Sequence, residues 1–242
     1  MALVALPPRT VPKTVPQTIP ARDLESRAHL DAVARRGAPL VLARERVLPV
    51  PGALGPLVPG GALQRGTVVS VTGASGAGVT SAALGLAAAA TAAGEWAAAI
   101  DLDGTIGGLA AAEAGVDLDR FAVVRRVANG QWATVVAALL DGVSLVLAEV
   151  PRGVRAGDAR RLIARARERS TTLVVVGADA RRWPADVGLR LQATGGAWLG
   201  LADGGGVLAT RALAVHVEGR GVRPGTRLGA GAREEPALEL AG

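Results

Sequence analysis

Thr67-Val68-Val69-Ser70-Val71-Thr72 runs directly into Gly73-Ala74-Ser75-Gly76-Ala77-Gly78-Val79-Thr80-Ser81, and this stretch decides the fold. Its first six residues are β-branched or small and lie between Gly66 and Gly73, the composition of a buried strand bounded by turns. An Ala- and Leu-rich segment follows the glycines and reads as a helix from Thr80 to about Ala93. A strand, a glycine loop and a helix in that order make an anion-binding turn: backbone N–H groups curl around a phosphate, and the helix N-terminus adds partial positive charge. The matching pattern is G-x-x-x-x-G-K-[ST], and one position departs from it. Gly73, Ser75, Gly76, Gly78, Thr80 and Ser81 keep the parts that cradle an anion and reach Mg²⁺, whereas Val79 stands where a lysine would meet the outer phosphates. One charge-assisted hydrogen bond is worth roughly 1.5 to 3 kcal/mol. Its loss predicts weak binding of ATP or another anion, and no hydrolysis, because phosphoryl transfer depends on positioned charge. No cofactor is required on this reading, although weakly held ATP with Mg²⁺ remains compatible with it. The bland alternative is a strand-to-helix turn kept only for packing.

Downstream, strands and helices alternate. Strands are expected at Trp96–Asp101, Phe121–Arg125, Ser144–Val150 and Thr171–Gly177. Helices are expected at Thr105–Gly115, from a cap at Asn129 to Leu140, and from a cap at Asp158 to Arg169. Single helices between strands imply right-handed βαβ units and a mostly parallel sheet. After Pro184 the pattern shifts to Leu189–Gln192, Ala197–Leu201 and Val207–Val217 with Gly-rich turns, which predicts antiparallel strands at one sheet edge.

The candidate chemistry sits at strand ends. Asp101 and Asp103 close the second core strand and Glu149 closes the fourth, where open α/β sheets place their ligands and where an acid would hold a metal. The alternative is that each carboxylate only terminates a strand or caps a turn. Arg160, Arg161, Arg165, Arg167 and Arg169 lie on one helix, either as a solvated face or as a surface for DNA phosphates or an acidic partner.

Composition narrows the field. Of 242 residues half are hydrophobic but only 2% aromatic, so Ala, Val and Leu must build the core and base-stacking platforms are scarce. The net charge of +6 is compatible with a nucleic-acid neighbour. With no cysteine and two histidines, disulfides and Cys/His metal sites are excluded. The Pro-rich start does not read as a secretion signal, and the apolar run from Ser81 to Gly94 is too short for a bilayer, so a cytoplasmic protein away from membranes is expected. The expected organisation is a disordered Pro-rich arm at 1–20, a helical segment at 21–46 including Asp23 to Arg36, an α/β domain at 47–218 and a flexible tail at 219–242.

These residues resemble a known family. Val47-Leu48-Pro49 and Pro59-Gly60-Gly61-Ala62-Leu63-Gln64-Arg65-Gly66 resemble the entry into the RecA core. Ala97 to Asp103 is similar to its second strand, with Asp103 at the place of the catalytic glutamate. Gly115-Val116-Asp117-Leu118-Asp119 and Ser144 to Val150 follow in the same order, the latter placing Glu149 at the metal-binding acid. The segments Pro151 to Gly157 and Ala178 to Asp186 are short for the DNA-gripping loops of a recombinase. The whole is therefore most similar to the ImuA family of RecA-like proteins, in its actinobacterial ImuA′ form. That resemblance implies a mutasome accessory role in SOS-induced translesion DNA synthesis, beside an ImuB-like polymerase hub and an error-prone replicative-type DNA polymerase. Three other readings stand beside it: an active RecA-like DNA-dependent ATPase, a ParA/MinD-like positioning ATPase suggested by Ile100 to Ala110, and a plain α/β domain.

Overall fold

The computed structural model describes residues 46–196, 198–202, 205–211, 213–219, 221–222 and 227–228, all within the compact unit Arg44–Gly242. The expected arm at 1–20 and the helix from Asp23 to Arg36 lie outside the described residues.

The chain enters through a small antiparallel hairpin, β1 (Val47–Pro49) with β2 (Ala62–Gln64), bridged by 3₁₀ turns at Gly52–Leu57 and Pro59–Gly61. There follow β3 (Val68–Gly73), α1 (Val79–Ala92), β4 (Ala97–Asp101), α2 (Gly108–Glu113), β5 (Phe121–Arg125), α3 (Trp132–Gly142), β6 (Leu145–Glu149), α4 (Ala156–Arg169) and β7 (Thr172–Val176). Then come β8 (Leu189–Gly195), β9 (Trp198–Ala202), β10 (Gly205–Arg211), β11 (Ala214–Gly219) and β12 (Arg227–Leu228). The main sheet has the order β12-β11-β8-β3-β7-β6-β4-β5. The run from β8 to β5 is parallel, and β11 and β12 add antiparallel at the other edge. This is a RecA-like α/β core.

Strand alternation sorts the side chains into two layers. Val69, Val71, Leu145, Leu147 and Val174 point into one core with α1 and Ala111 of α2. Val68, Val146, Ala148, Leu173 and Val175 point into the other with Trp132, Val136 and Leu140 of α3 and Ala159, Leu162 and Ala166 of α4. The first core is built on small residues: Ala82, Ala83, Ala87, Ala88, Ala89 and Ala90 of α1 are buried with Ala97 and Ala99 of β4.

Several elements differ from the sequence expectation, each for a local reason. The helix expected from Thr105 begins only at Gly108; Thr105 and Ile106 precede it as a loop whose N–H groups donate to the Asp101 carboxylate. Asn129 does not cap α3, whose N-cap is Gln131; the Asn129 carbonyl accepts from Trp132 N instead. Asp158 lies inside the first turn of α4 and bonds Arg161, leaving Arg155 at the N-cap. The strand expected across Val207–Val217 is two strands, and β9 pairs with β10 in a separate hairpin. Arg227–Leu228, expected in a tail, pairs with β11.

Because Ala97 and Ala99 of β4 are fully buried in a core rich in α1 alanines, added volume has nowhere to go. Ala99→Leu is expected to cost roughly 1 to 3 kcal/mol, read as a lower urea midpoint with an unchanged slope.

Candidate functional site

The site is built where β3 ends. A Cβ at Gly73 would lie 2.6 Å from the Ala193 carbonyl oxygen on β8 and 2.8 Å from Val79 Cγ2, so only glycine fits between strand, neighbour and helix. The loop then turns through left-handed Gly76 (φ 75°) and Gly78 (φ 94°), with Ala77 N–H donating to the Ala74 carbonyl at 3.0 Å. Val79 opens α1, half-buried, and packs against the core on that face with a methyl group beside Gly73. The side chain at the lysine position is therefore packed apolar bulk as well as uncharged.

A cleft of about 390 Å³ lies over this turn at the C-terminal ends of the strands. It brings together the loop residues Gly73, Ser75, Gly76, Gly78, Val79, Thr80 and Ser81 with all three sequence-predicted acids, Asp101, Asp103 and Glu149. Among the described residues lining it there is no lysine, arginine or histidine.

The acids differ in what they do. Asp101 is buried, and its carboxylate accepts from Thr105 N (2.8 Å), Ile106 N (3.2 Å) and Arg125 Nε (3.0 Å). Arg125 also donates from a terminal guanidinium nitrogen to the Ile106 carbonyl (2.6 Å), so both ends of the ion pair hold one loop. Glu149 is half-buried, and Oε2 accepts from Leu102 N (2.5 Å) and Asp103 N (3.0 Å). Burial pushes the Glu149 carboxyl above its ordinary range; the two backbone N–H donors oppose that rise, and the nearby Asp103 charge adds to it. Asp103 is exposed at the rim.

The glycine turn and Thr80 line the cleft, no Lys, Arg or His does so among the described residues, and Glu149 is already an acceptor for the β4–α2 loop. Among the described residues no group of three or more His, Cys, Asp or Glu is placed to hold a metal ion. Arg65 lies at the opposite end of the sheet, where it forms a two-pronged pair with Glu95 (2.9 and 2.5 Å) that holds the Glu95 carboxyl below its ordinary range.

The arginines of α4 split. Arg165 and Arg169 both pair with Asp141 at the end of α3, and Arg161 pairs with Asp158. Arg160 and Arg167 are exposed, without an ion pair among the described residues. Sequence reasoning missed Arg125 and Gly177. Arg125 was findable, since this strand-end arginine, 24 residues from Asp101 in sequence, falls beside it once β4 and β5 are in parallel register. Gly177 (φ 105°) lines the cleft next to Glu149 and carried no signal beyond ending a strand.

Residues 56–185 match the family model described as the MT3502 N-terminal domain. The chain is also similar to a protein of Mycobacterium tuberculosis named "Uncharacterized protein Rv3395c", 38% identical over 143 residues that cover 58% of this chain and 67% of the relative.

Two outcomes follow from the geometry. Gly73→Ala is expected to lower the thermal midpoint markedly, since the new methyl meets backbone rather than a flexible side chain. For Glu149, a raised native value means that the folded chain holds its proton to higher pH than the unfolded chain. Stability therefore falls as pH rises from about 4.5 through that value. Glu149→Gln keeps an acceptor for the two N–H groups without the charge. Its thermal midpoint should exceed wild type at pH 7, and the gap should close towards pH 4; a lower midpoint at pH 7 would contradict the assigned cause.

Proposed function

This chain belongs to the MT3502 N-terminal domain family, and from that premise we propose that it is a RecA-like accessory protein of damage-induced translesion DNA synthesis that does not hydrolyse ATP. The observation that carries the non-catalytic part is the cleft without a cation. Val79 fills the lysine position as core packing, and three carboxylates line the same space, so a polyphosphate meets backbone N–H groups but no countercharge. Nucleotide or inorganic phosphate binds weakly. What the fold then offers is a surface.

The assignment to lesion bypass rests on the ImuA resemblance of the motifs, which supplies the partners: an ImuB-like polymerase hub and an error-prone replicative-type polymerase. A cytoplasmic mutasome component agrees with the described residues, in which no helix is long and apolar enough to cross a membrane. Arg160 and Arg167, exposed on α4, are the arginines free for an acidic partner or DNA phosphates.

Turnover of ATP by the purified chain, with and without single-stranded DNA, is expected at background and unchanged by Thr80→Ala. Brisk turnover abolished by Thr80→Ala would sink the non-catalytic reading. Val79→Lys should tighten phosphate or ATP binding about tenfold by calorimetry, the value of one charge-assisted hydrogen bond. Affinity capture from DNA-damaged cells should recover a Y-family-like polymerase; recovery of chromosome-partition proteins instead would overturn the pathway assignment.

A further inference from the structure

Strand β12 sets where the chain goes as it leaves the sheet. β8 runs parallel to β3, β11 antiparallel to β8 and β12 antiparallel to β11, so β12 points the same way as β3. Its last residue, Leu228, falls in one row with Val215, Ala193 and Gly73. The backbone therefore leaves β12 level with the start of the glycine turn, at the end of the sheet where the cleft lies. The stretch that comes next, 229–242, is outside the described residues. Its sequence is acidic, with Glu234, Glu235 and Glu239 against the single Arg233. The same rim carries arginines. Arg152 and Arg155 lie between β6 and α4, and Arg181 and Arg182 close a 3₁₀ turn, Ala178–Arg182, that follows β7. All four are exposed, and the two loops are neighbours, since Arg152 Nε lies 4.0 Å from Asp179 Oδ2. Asp158, the acid nearest in sequence to Arg155, is taken by Arg161. Arg155, Arg181 and Arg182 are thus without an ion pair among the described residues.

We propose that residues 233–239 cross the strand ends of their own chain and place Glu234 and Glu235 at Arg181 and Arg182, and Glu239 at Arg155, so that the free chain keeps this anion-binding rim covered by its own acids. Reach and order both fit. From β12 to β7 is four strand spacings and to β6 five, about 19 and 24 Å. Glu234 comes six residues after Leu228 and Glu239 eleven, spans of about 20 and 36 Å for extended chain. The acids therefore follow one another along the chain in the order in which the arginine loops follow along the rim. In the cleft Asp103 and Glu149 repel the same carboxylates, which directs the segment to the arginine side. Exposed ion pairs are individually weak. A tethered segment, however, meets its site at an effective concentration of about a millimolar, so three such pairs suffice in cis where they would fail between separate molecules at micromolar concentration. An anionic partner must then displace the segment before it reaches these arginines.

This inference goes beyond the reading of the cleft, and neither nucleotide turnover nor a polymerase partner enters its readouts. Because the chain has no cysteine, Ala237→Cys places a single nitroxide spin label between Glu235 and Glu239. In the labelled full chain the amide NMR signals of residues 152–156 and 178–182 are expected to broaden, and those of 94–96, at the opposite end of the sheet, to stay sharp. Added salt should restore the broadened signals. So should Glu234→Gln, Glu235→Gln and Glu239→Gln together, in a chain whose other signals are unmoved and which is therefore folded. In a second measurement without the label, a fluorescent hexaglutamate peptide should bind that triple variant several-fold more tightly than wild type, and Arg181→Gln with Arg182→Gln should remove the gain. Rim signals that ignore the label, or broadening that survives the three glutamine substitutions, overturn the proposal. So does a peptide affinity that is the same in wild type and triple variant. Broadening of an unlabelled, isotope-enriched chain by an equal amount of spin-labelled chain also overturns it, by assigning the acids to a second copy.

Discussion

The close approach at Gly73 governs the architecture. There the end of β3, the backbone of β8 and the first residue of α1 come within a distance that no Cβ can share. This contact sets how α1 leaves the strand and hence how its alanine face lies on β4 and β6. The same tight turn that elsewhere suits a phosphate is here equally well explained by packing, because the apolar Val79 completes it from inside.

Around that turn the acids act as struts. Asp101 is neutralised by Arg125 and spends both oxygens on the β4–α2 loop, while Glu149 reaches across from β6 to the same loop. Two carboxylates that strand-end logic offers to a metal thus hold 102–106 in place. The Trp132 indole N–H, bonded to the Glu149 carbonyl at 2.8 Å, and its edge-on contact with Trp183 tie the same strand end to the α3 layer. The rim of the cleft is thus braced from β4, β6 and the α3 layer.

Outside the cleft, the described residues also leave unsatisfied features on the surface. At the β5 edge they are apolar groups and unpaired backbone, and on α4 they are arginines without acids. Burial of apolar area and pairing of an open edge are sources of binding energy that need no chemistry in the cleft.

The sequence by itself determined the α/β alternation, the parallel core with its antiparallel edge, the phosphate-type turn and the presence of Asp101, Asp103 and Glu149 at strand ends. Hydrophobic period and glycine placement act over a few neighbouring residues, so they are readable from the chain alone. Only the tertiary structure decided what the charged groups do. The charged partners of Asp101 and Arg65 lie 24 and 30 residues away and the N–H donors to Glu149 some 46 and 47, and no local pattern encodes such a pairing. Ahead of α2, the buried Asp101 carboxylate also takes the N–H groups of Thr105 and Ile106, a contact close in sequence that becomes legible only once the strand end is placed.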